Sequence, residues 1–196
     1  MRHYWGLSVM AVFIGFFAIP CGADPGLPIT VLKGGYSDTV HASEAACLAP
    51  PSYTTAVACT TAGAGVFPIS DVETGQVTFG SDGSGCQTSV AVAADIPPSS
   101  TPPSVIPFTG VRTLTDYDPA TGTGDWAFTT YTGGKCNGAS FDNTGATVFT
   151  SGVEHFAISE RGQRVDDVVT SFFSGSGSSS IAAYADFTIA GILLRQ

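Results

Sequence analysis

The stretch 107–134 reads PFTGVRTLTDYDPATGTGDWAFTTYTGG and contains two strand-forming segments separated by a turn. Thr113 to Tyr117 precede the break DPATGTG, and Trp126 to Tyr131 follow it. β-Branched and aromatic residues favour strands, whereas Asp, Pro and Gly favour turns. The stretch therefore predicts a β-hairpin.

The same pattern recurs along most of the chain. Short alternating segments such as GVFPIS, GQVTFG, CQTSVAVAA, ATVFTS, VEHFAIS and VDDVVTSFF are separated by turns rich in glycine. Strands with a turn signal about every ten residues are typical of all-β domains. We expect an all-β fold of about eight to ten strands, forming a single antiparallel β-barrel, with a β-sandwich as the second choice.

Alternation also predicts which side chains face the core. Phe156 and Ile158 should lie on one face of their strand, with His155 on the other face. In the last strand Leu193 should be buried, and Gly191 would suit a bend or a close approach of a neighbouring group.

Three segments near the start and middle of the chain depart from this pattern. Residues 28–36 resemble a first strand closed by Gly34 and Gly35, and a short helix is predicted after Ser37 or Asp38. The segment Ile96 to Pro107, IPPSSTPPSVIP, is too rich in proline for a paired strand. We interpret it as a surface loop within one domain, residues 24–196, rather than a hinge between two domains.

Residues 1–23 have the pattern of a secretory signal peptide. Arg2 precedes an uncharged apolar run from Leu7 to Ile19, which ends in small residues before Ala23. The run is about 13 residues long, short of the roughly 20 that a membrane-spanning helix needs. We expect cleavage after Ala23 and a secreted or periplasmic protein without a membrane span. A retained anchor and lipid attachment at Cys21 are the alternatives.

Four cysteines remain after cleavage: Cys47, Cys59, Cys86 and Cys136. An even number in an exported chain indicates disulfides, and four cysteines allow three pairings. We favour Cys47 with Cys59 and Cys86 with Cys136, although the sequence does not decide among the three. A zinc site is the competing use, but the closely spaced cysteine pairs of structural zinc sites are missing from the sequence.

Charge and motifs exclude several classes of function. Seven Lys and Arg residues stand against sixteen Asp and Glu residues, so the basic surface that nucleic acid or anionic lipid requires is not expected. The sequence contains no nucleophile elbow, HExxH motif or P-loop. Glu154 and His155 are adjacent, and adjacent strand residues point to opposite faces, so they cannot act together. We therefore expect no enzyme activity, metal or cofactor.

Aromatic residues give the one indication of a ligand. Inside a closed barrel of about eight strands, aromatic side chains either fill the interior or line a pocket for one small apolar molecule. Trp126 and Phe128 are the candidate ligand-binding residues because alternation in the hairpin puts both on one face.

Three segments in the second half carry a family resemblance: FTGVRTLTDYDPATGTG, HFAISERGQRVDDVVTS and IAGILLRQ. Residues 105–196 resemble small exported bacterial proteins of the calycin-like, or lipocalin-like, type. The resemblance implies a barrel and an exported location, and it assigns no functional residue. We expect an exported, non-enzymatic barrel that binds a small hydrophobic ligand. The alternatives are a β-sandwich adhesion or carbohydrate-binding module and an enzyme with a site at the barrel mouth.

Overall fold

The computed structural model of the protein describes residues 23–52, 57, 59–93, 104–174 and 184–196. The predicted signal peptide apart from Ala23, and the alternative lipid site at Cys21, lie outside the described residues. So do residues 94–103, which include the first part of the proline-rich segment, and residues 175–183, which precede the last strand.

The described part of the chain contains ten β-strands and two short 3₁₀ helices, without an α-helix. The strands are β1 Gly34–Leu48, β2 Gly65–Phe79, β3 Gly85–Ala93, β4 Ser104–Asp118, β5 Thr123–Thr132, β6 Lys135–Asn137, β7 Ser140–Asp142, β8 Thr147–Ser159, β9 Arg164–Ser174 and β10 Tyr184–Arg195. The 3₁₀ helices are Ile29–Leu32 and Glu160–Gly162. Neither of these helices has the length and apolar character needed to cross a membrane.

Eight of the strands form a closed barrel in which each strand pairs antiparallel with the next along the chain. The order is β1, β2, β3, β4, β5, β8, β9 and β10, and β10 pairs with β1 to close the cylinder. Closure removes the unpaired strand edges that an open sheet would expose. The prediction of a single antiparallel barrel is confirmed, and the arrangement is a barrel rather than a β-sandwich.

The hairpin predicted from residues 107–134 is β4 and β5 joined by residues 119–122. The Asp118 side chain accepts a hydrogen bond from the backbone N–H of Ala120 at 2.8 Å, which stabilises the turn. Gly122 has a φ of +71°, in the left-handed region that favours glycine. Local turn chemistry therefore determines this hairpin.

The small hairpin of β6 and β7 lies outside the barrel and is tied to it by a disulfide between Cys136 and Cys86. Its Phe141 ring stacks on Tyr131 of β5, with 4.6 Å between the ring centroids. The second disulfide joins Cys47 to Cys59. Both bonds follow the pairing favoured from the sequence.

The helix predicted after Ser37 or Asp38 is wrong, because this segment is part of β1. Tyr36, Asp38 and Val40 are buried, whereas the residues between them are exposed, which is the period of a strand. The aspartate hid this alternation, since it is a charged residue on the buried face. The strand predicted over 28–36 is also corrected: residues 29–32 form a 3₁₀ helix, and Gly34 and Gly35 begin β1.

The proline-rich segment ends earlier than predicted, because β4 begins at Ser104 and includes Pro107. Pro107 pairs with Val90 of β3, and the pairing of β4 with β5 starts only at Thr109. Pro107 therefore has a strand neighbour on one side, a position where the missing N–H is tolerated.

One half of the barrel interior, which we call the packed end, is filled by large side chains. Trp126 stacks between Phe156 and Phe79, with ring centroids 3.8 Å and 5.1 Å away, and its indole N–H donates to the carbonyl of Gly83 at 2.8 Å. The 3₁₀ helix Ile29–Leu32 packs against this cluster. The packed end leaves only the other half of the barrel for a ligand.

Candidate ligand cavity and buried polar layer

The other half of the interior contains a cavity of about 200 Å³. Its apolar wall consists of Val40, Ala42, Phe108, Phe128, Val169 and Ile189. Phe128 lies opposite Gly152 of β8, where an added Cβ would be 2.6 Å from the ring. The glycine therefore makes room for an aromatic ring in the wall.

A layer of polar side chains separates the cavity from the packed end, and Arg112 is its centre. Arg112 is 3% exposed, and its Nε donates to Glu154 Oε2 at 2.7 Å. Its Nη2 donates to Asp38 Oδ2 at 3.2 Å, and its Nη1 donates to Gln87 Oε1. A buried charge needs paired and hydrogen-bonded partners, and Arg112 has them on β1, β3 and β8.

Gln87 connects the arginine to the edge of the cavity. Its amide nitrogen donates to Asp38 Oδ2 at 2.8 Å and to Ser89 Oγ at 2.6 Å. The same nitrogen also lies within hydrogen-bonding distance of Glu73 Oε1, so its two N–H groups are shared among three acceptors, and Glu73 lines the cavity beside the apolar wall. The polar layer and the cavity therefore share a boundary.

Carboxyl groups in this layer hold their protons to unusually high pH. Burial, together with the charge of Asp38, raises the pKa of Glu73 to about 8. Burial and the charge of Glu154 raise the pKa of Asp167 well above its ordinary value. Burial also raises the pKa of Glu154, although the adjacent Arg112 opposes that shift.

Several buried acceptors have no donor. Asp38 Oδ1, Asp71 Oδ1 and Asp167 Oδ2 make no hydrogen bond to any described residue. Asp167 faces Gly191 of β10, and a Cβ at that position would collide with its Oδ1, so the close approach predicted at Gly191 is confirmed. No group of three or more His, Cys, Asp or Glu side chains in the described ranges is arranged to hold a metal ion.

The structure separates the two candidate ligand-binding residues. Phe128 lines the cavity, whereas Trp126 lies within the packed end and is fully buried. Glu154 and His155 face opposite ways, as predicted: Glu154 lies inside the barrel and His155 lies outside. His155 Nδ1 is 2.8 Å from Asp125 Oδ1 on the outer surface, with 49% of the histidine side chain exposed.

Sequence reasoning missed the polar layer. The predicted site residues do not include Asp38, Gln87, Arg112 or Asp167, because single polar or charged residues in strands are usually solvent-exposed. A signal was present at Arg112, since it shares a strand face with the apolar Leu114, whereas Thr113 and Thr115 occupy the other face. Nothing in the sequence indicates that these side chains meet.

The fold and the site define a class: an eight-stranded up-and-down barrel with an interior cavity that is apolar on its wall and polar at its floor. Comparison of the chain with protein-family models, with curated proteins and with solved structures finds no match. Function is therefore inferred from the site alone.

Proposed function

We propose that the protein is an exported, non-enzymatic binding protein that holds one small, largely apolar molecule in the barrel cavity. The observation that carries this proposal is the cavity itself, about 200 Å³ in volume with Val40, Phe108, Phe128 and Ile189 in its wall. Ligand sites are typically concave and mostly apolar, with a few polar groups that fix orientation.

The volume limits the size of the ligand. A volume of 200 Å³ corresponds to about seven water molecules at roughly 30 Å³ each. Apolar cavities of roughly 150 Å³ hold a benzene-sized molecule. The proposed ligand is therefore a single ring, or a short branched chain, with one polar group directed at the floor.

Two features favour binding over catalysis. His155 is on the outer surface and Glu154 is inside, so the pair cannot exchange a proton with one molecule. Glu154 is held by Arg112 at 2.7 Å, which suits a structural carboxylate better than a general acid or base.

Three features support export. The chain begins with a predicted signal peptide, the described cysteines form two disulfides, and residues 105–196 resemble exported calycin-like barrels. Disulfides form and persist mainly in oxidising compartments outside the cytosol.

The proposal is tested by filling the cavity. Ala42 lines it, whereas Ser43 is the next residue of β1 and is exposed on the outer face. We expect the unmodified protein and the Ser43→Phe control to bind benzyl alcohol in ligand-observed NMR, and the Ala42→Phe variant to bind at least about tenfold more weakly. Undiminished binding by a folded Ala42→Phe variant would contradict the proposal. Val169→Phe, on β9, is the second cavity-filling variant if Ala42→Phe does not fold.

Native mass spectrometry of the protein purified from its own host gives an independent test. A retained small molecule whose mass disappears in Ala42→Phe would support the proposal. Persistence of the same mass in that variant would place the molecule elsewhere and contradict it.

A further inference from the structure

We propose that the cavity selects a small organic cation, namely a protonated primary amine carried on a ring-sized apolar body. The ammonium group would lie between Glu73 and Asp71, with the apolar body against the apolar wall of the cavity. This inference rests on the proposed function and adds the chemical class of the ligand.

Acidic and basic side chains are unequal in number inside the barrel. Among the described residues, five carboxyl groups surround or adjoin the cavity floor, and the one basic side chain there is Arg112. The five are Asp38, Asp71, Glu73, Glu154 and Asp167. Because a buried carboxyl group gives up its proton more readily beside a positive charge, such an excess favours a cation over a carboxylate or phosphate.

Hydrogen-bond donors and acceptors are also unequal in number around the cavity. The N–H groups of Arg112 and Gln87 already donate to Glu154, Asp38 and Glu73. Acceptors remain: Asp71 Oδ1 and Asp38 Oδ1 have no partner among the described residues. An ammonium group supplies three donors and no acceptor, so it complements a site that lacks donors. A ligand rich in hydrogen-bond acceptors would leave still more acceptors without a donor.

The positions of two of the carboxyl groups also favour a ligand with an ammonium group and an apolar body. Asp71 and Glu73 are successive inward residues of β2, and both line the cavity. They pair with Ala42 and Val40 of β1, so their carboxyl groups adjoin the apolar wall. Positions two apart on one strand lie on the same face with Cα atoms roughly 7 Å apart, so the two carboxyl groups can both reach an ammonium group that lies between them. The aromatic rings in the wall add a further attraction for a cation.

Proton release is a linked consequence. At pH 7 burial keeps a proton on Glu73, and a bound ammonium group would favour its ionised form. The titratable, charged and polar groups that face Glu73 from the surrounding strands are Asp38, Gln87, Ser89, Arg112, Glu154 and Asp167. Of these, only Arg112 is basic, so a second positive charge would shift the equilibrium toward ionised Glu73. Binding should therefore release close to one proton.

The experiment compares three probes of equal size by calorimetry at pH 7: benzylamine, benzyl alcohol and benzoate. We expect benzylamine to bind about tenfold or more tightly than benzyl alcohol, and benzoate to bind most weakly. Measurement in two buffers of different ionisation enthalpy should detect proton release with benzylamine alone. Benzyl alcohol or benzoate binding as tightly as benzylamine would overturn the inference and leave the proposed function intact. Failure of all three would remove both.

A matched pair of variants locates the ammonium site. In Glu73→Gln the preference for benzylamine over benzyl alcohol should fall to about threefold or less, and the proton release should disappear. Asp125→Asn removes a carboxylate from the outer surface of β5 and should change neither probe. An unchanged preference in Glu73→Gln would overturn the site, and Asp71→Asn supplies the second test of the same position.

Discussion

At the scale of single residues, Arg112 allows the barrel to bury several carboxyl groups in its interior. Its guanidinium contacts Glu154, Asp38 and Gln87 from three strands. Burial alone would lower the pKa of Arg112, but the charges of Glu154 and Asp38 raise it, so the side chain stays charged. The carboxyl groups around it depend on that charge for compensation.

Replacing Arg112 by Met should therefore be strongly destabilising. Loss of one partner from a buried charged cluster typically lowers the free energy of unfolding by about 3–5 kcal/mol, because the remaining charges are left uncompensated. The loss should be larger at pH 8 than at pH 5, since more of the surrounding carboxyl groups are ionised at pH 8. Urea unfolding at both pH values measures it.

Arg164→Met is the matched control. Arg164 pairs with Asp166 at 2.6 Å on the outer surface, where both side chains are partly exposed. Exposed ion pairs contribute about 1 kcal/mol or less. Equal losses for the two variants would show that Arg112 has no special role in the interior.

At the scale of elements, a strand or hairpin could be predicted from the sequence when the residues that determine it lie close together in the chain. The β4–β5 hairpin was predictable because Asp118 and Gly122 determine the turn through their own chemistry. β1 was mispredicted because Asp38 lies on its buried face, and its compensation by Arg112 comes from a strand 74 residues away. An isolated segment does not carry that information.

The two disulfides close loops of different length, so their removal should lower the free energy of unfolding by different amounts. Cys86–Cys136 spans 50 residues, whereas Cys47–Cys59 spans 12. On the chain-entropy argument, Cys86→Ala with Cys136→Ala should lower the free energy of unfolding by about 4 kcal/mol, and the Cys47–Cys59 double variant by about 3 kcal/mol. Denaturant unfolding of both double variants measures the difference.

Hydrogen exchange provides the control for this prediction. Loss of Cys86–Cys136 should increase exchange in β6 and β7, which that bond ties to β3, and should leave the β4–β5 turn protected. A larger loss of stability from the shorter loop would contradict the entropic explanation.

At the scale of the whole molecule, the excess of interior carboxyl groups makes stability depend on pH. The pKa of Glu73 is about 8 in the folded protein, against an ordinary value of 4.5. The pKa values of Asp71, Glu154 and Asp167 are raised as well, mainly by burial. Between the ordinary and the raised values, the folded protein binds more protons than the unfolded chain.

The free energy of unfolding should therefore fall as pH rises from about 5 to about 8, and Glu73 alone should account for about 3–5 kcal/mol of that fall. In Glu73→Gln the decline should be shallower, and the variant should be more stable than the parent at pH 8. Thermal and urea unfolding across this range provide the measurement.

Asp116→Asn is the control, because this carboxyl group is exposed and accepts the backbone N–H of Tyr117 at 2.9 Å, so the variant should keep the parent's slope. Stability that rises between pH 5 and pH 8 in the parent protein would contradict the burial of these carboxyl groups.

The sequence by itself determined the all-β class, the central hairpin and the inward faces of β8 and β10, and it favoured the disulfide pairing without deciding it. These depend on alternation and on turn residues, which act over a few positions of the chain. Only the tertiary structure decided the closure of the barrel, the division of its interior and the meeting of Arg112 with Asp38, Gln87 and Glu154. Those contacts join strands far apart in sequence. A charged side chain such as Arg112 can be buried only when partners on other strands of the closed barrel compensate its charge.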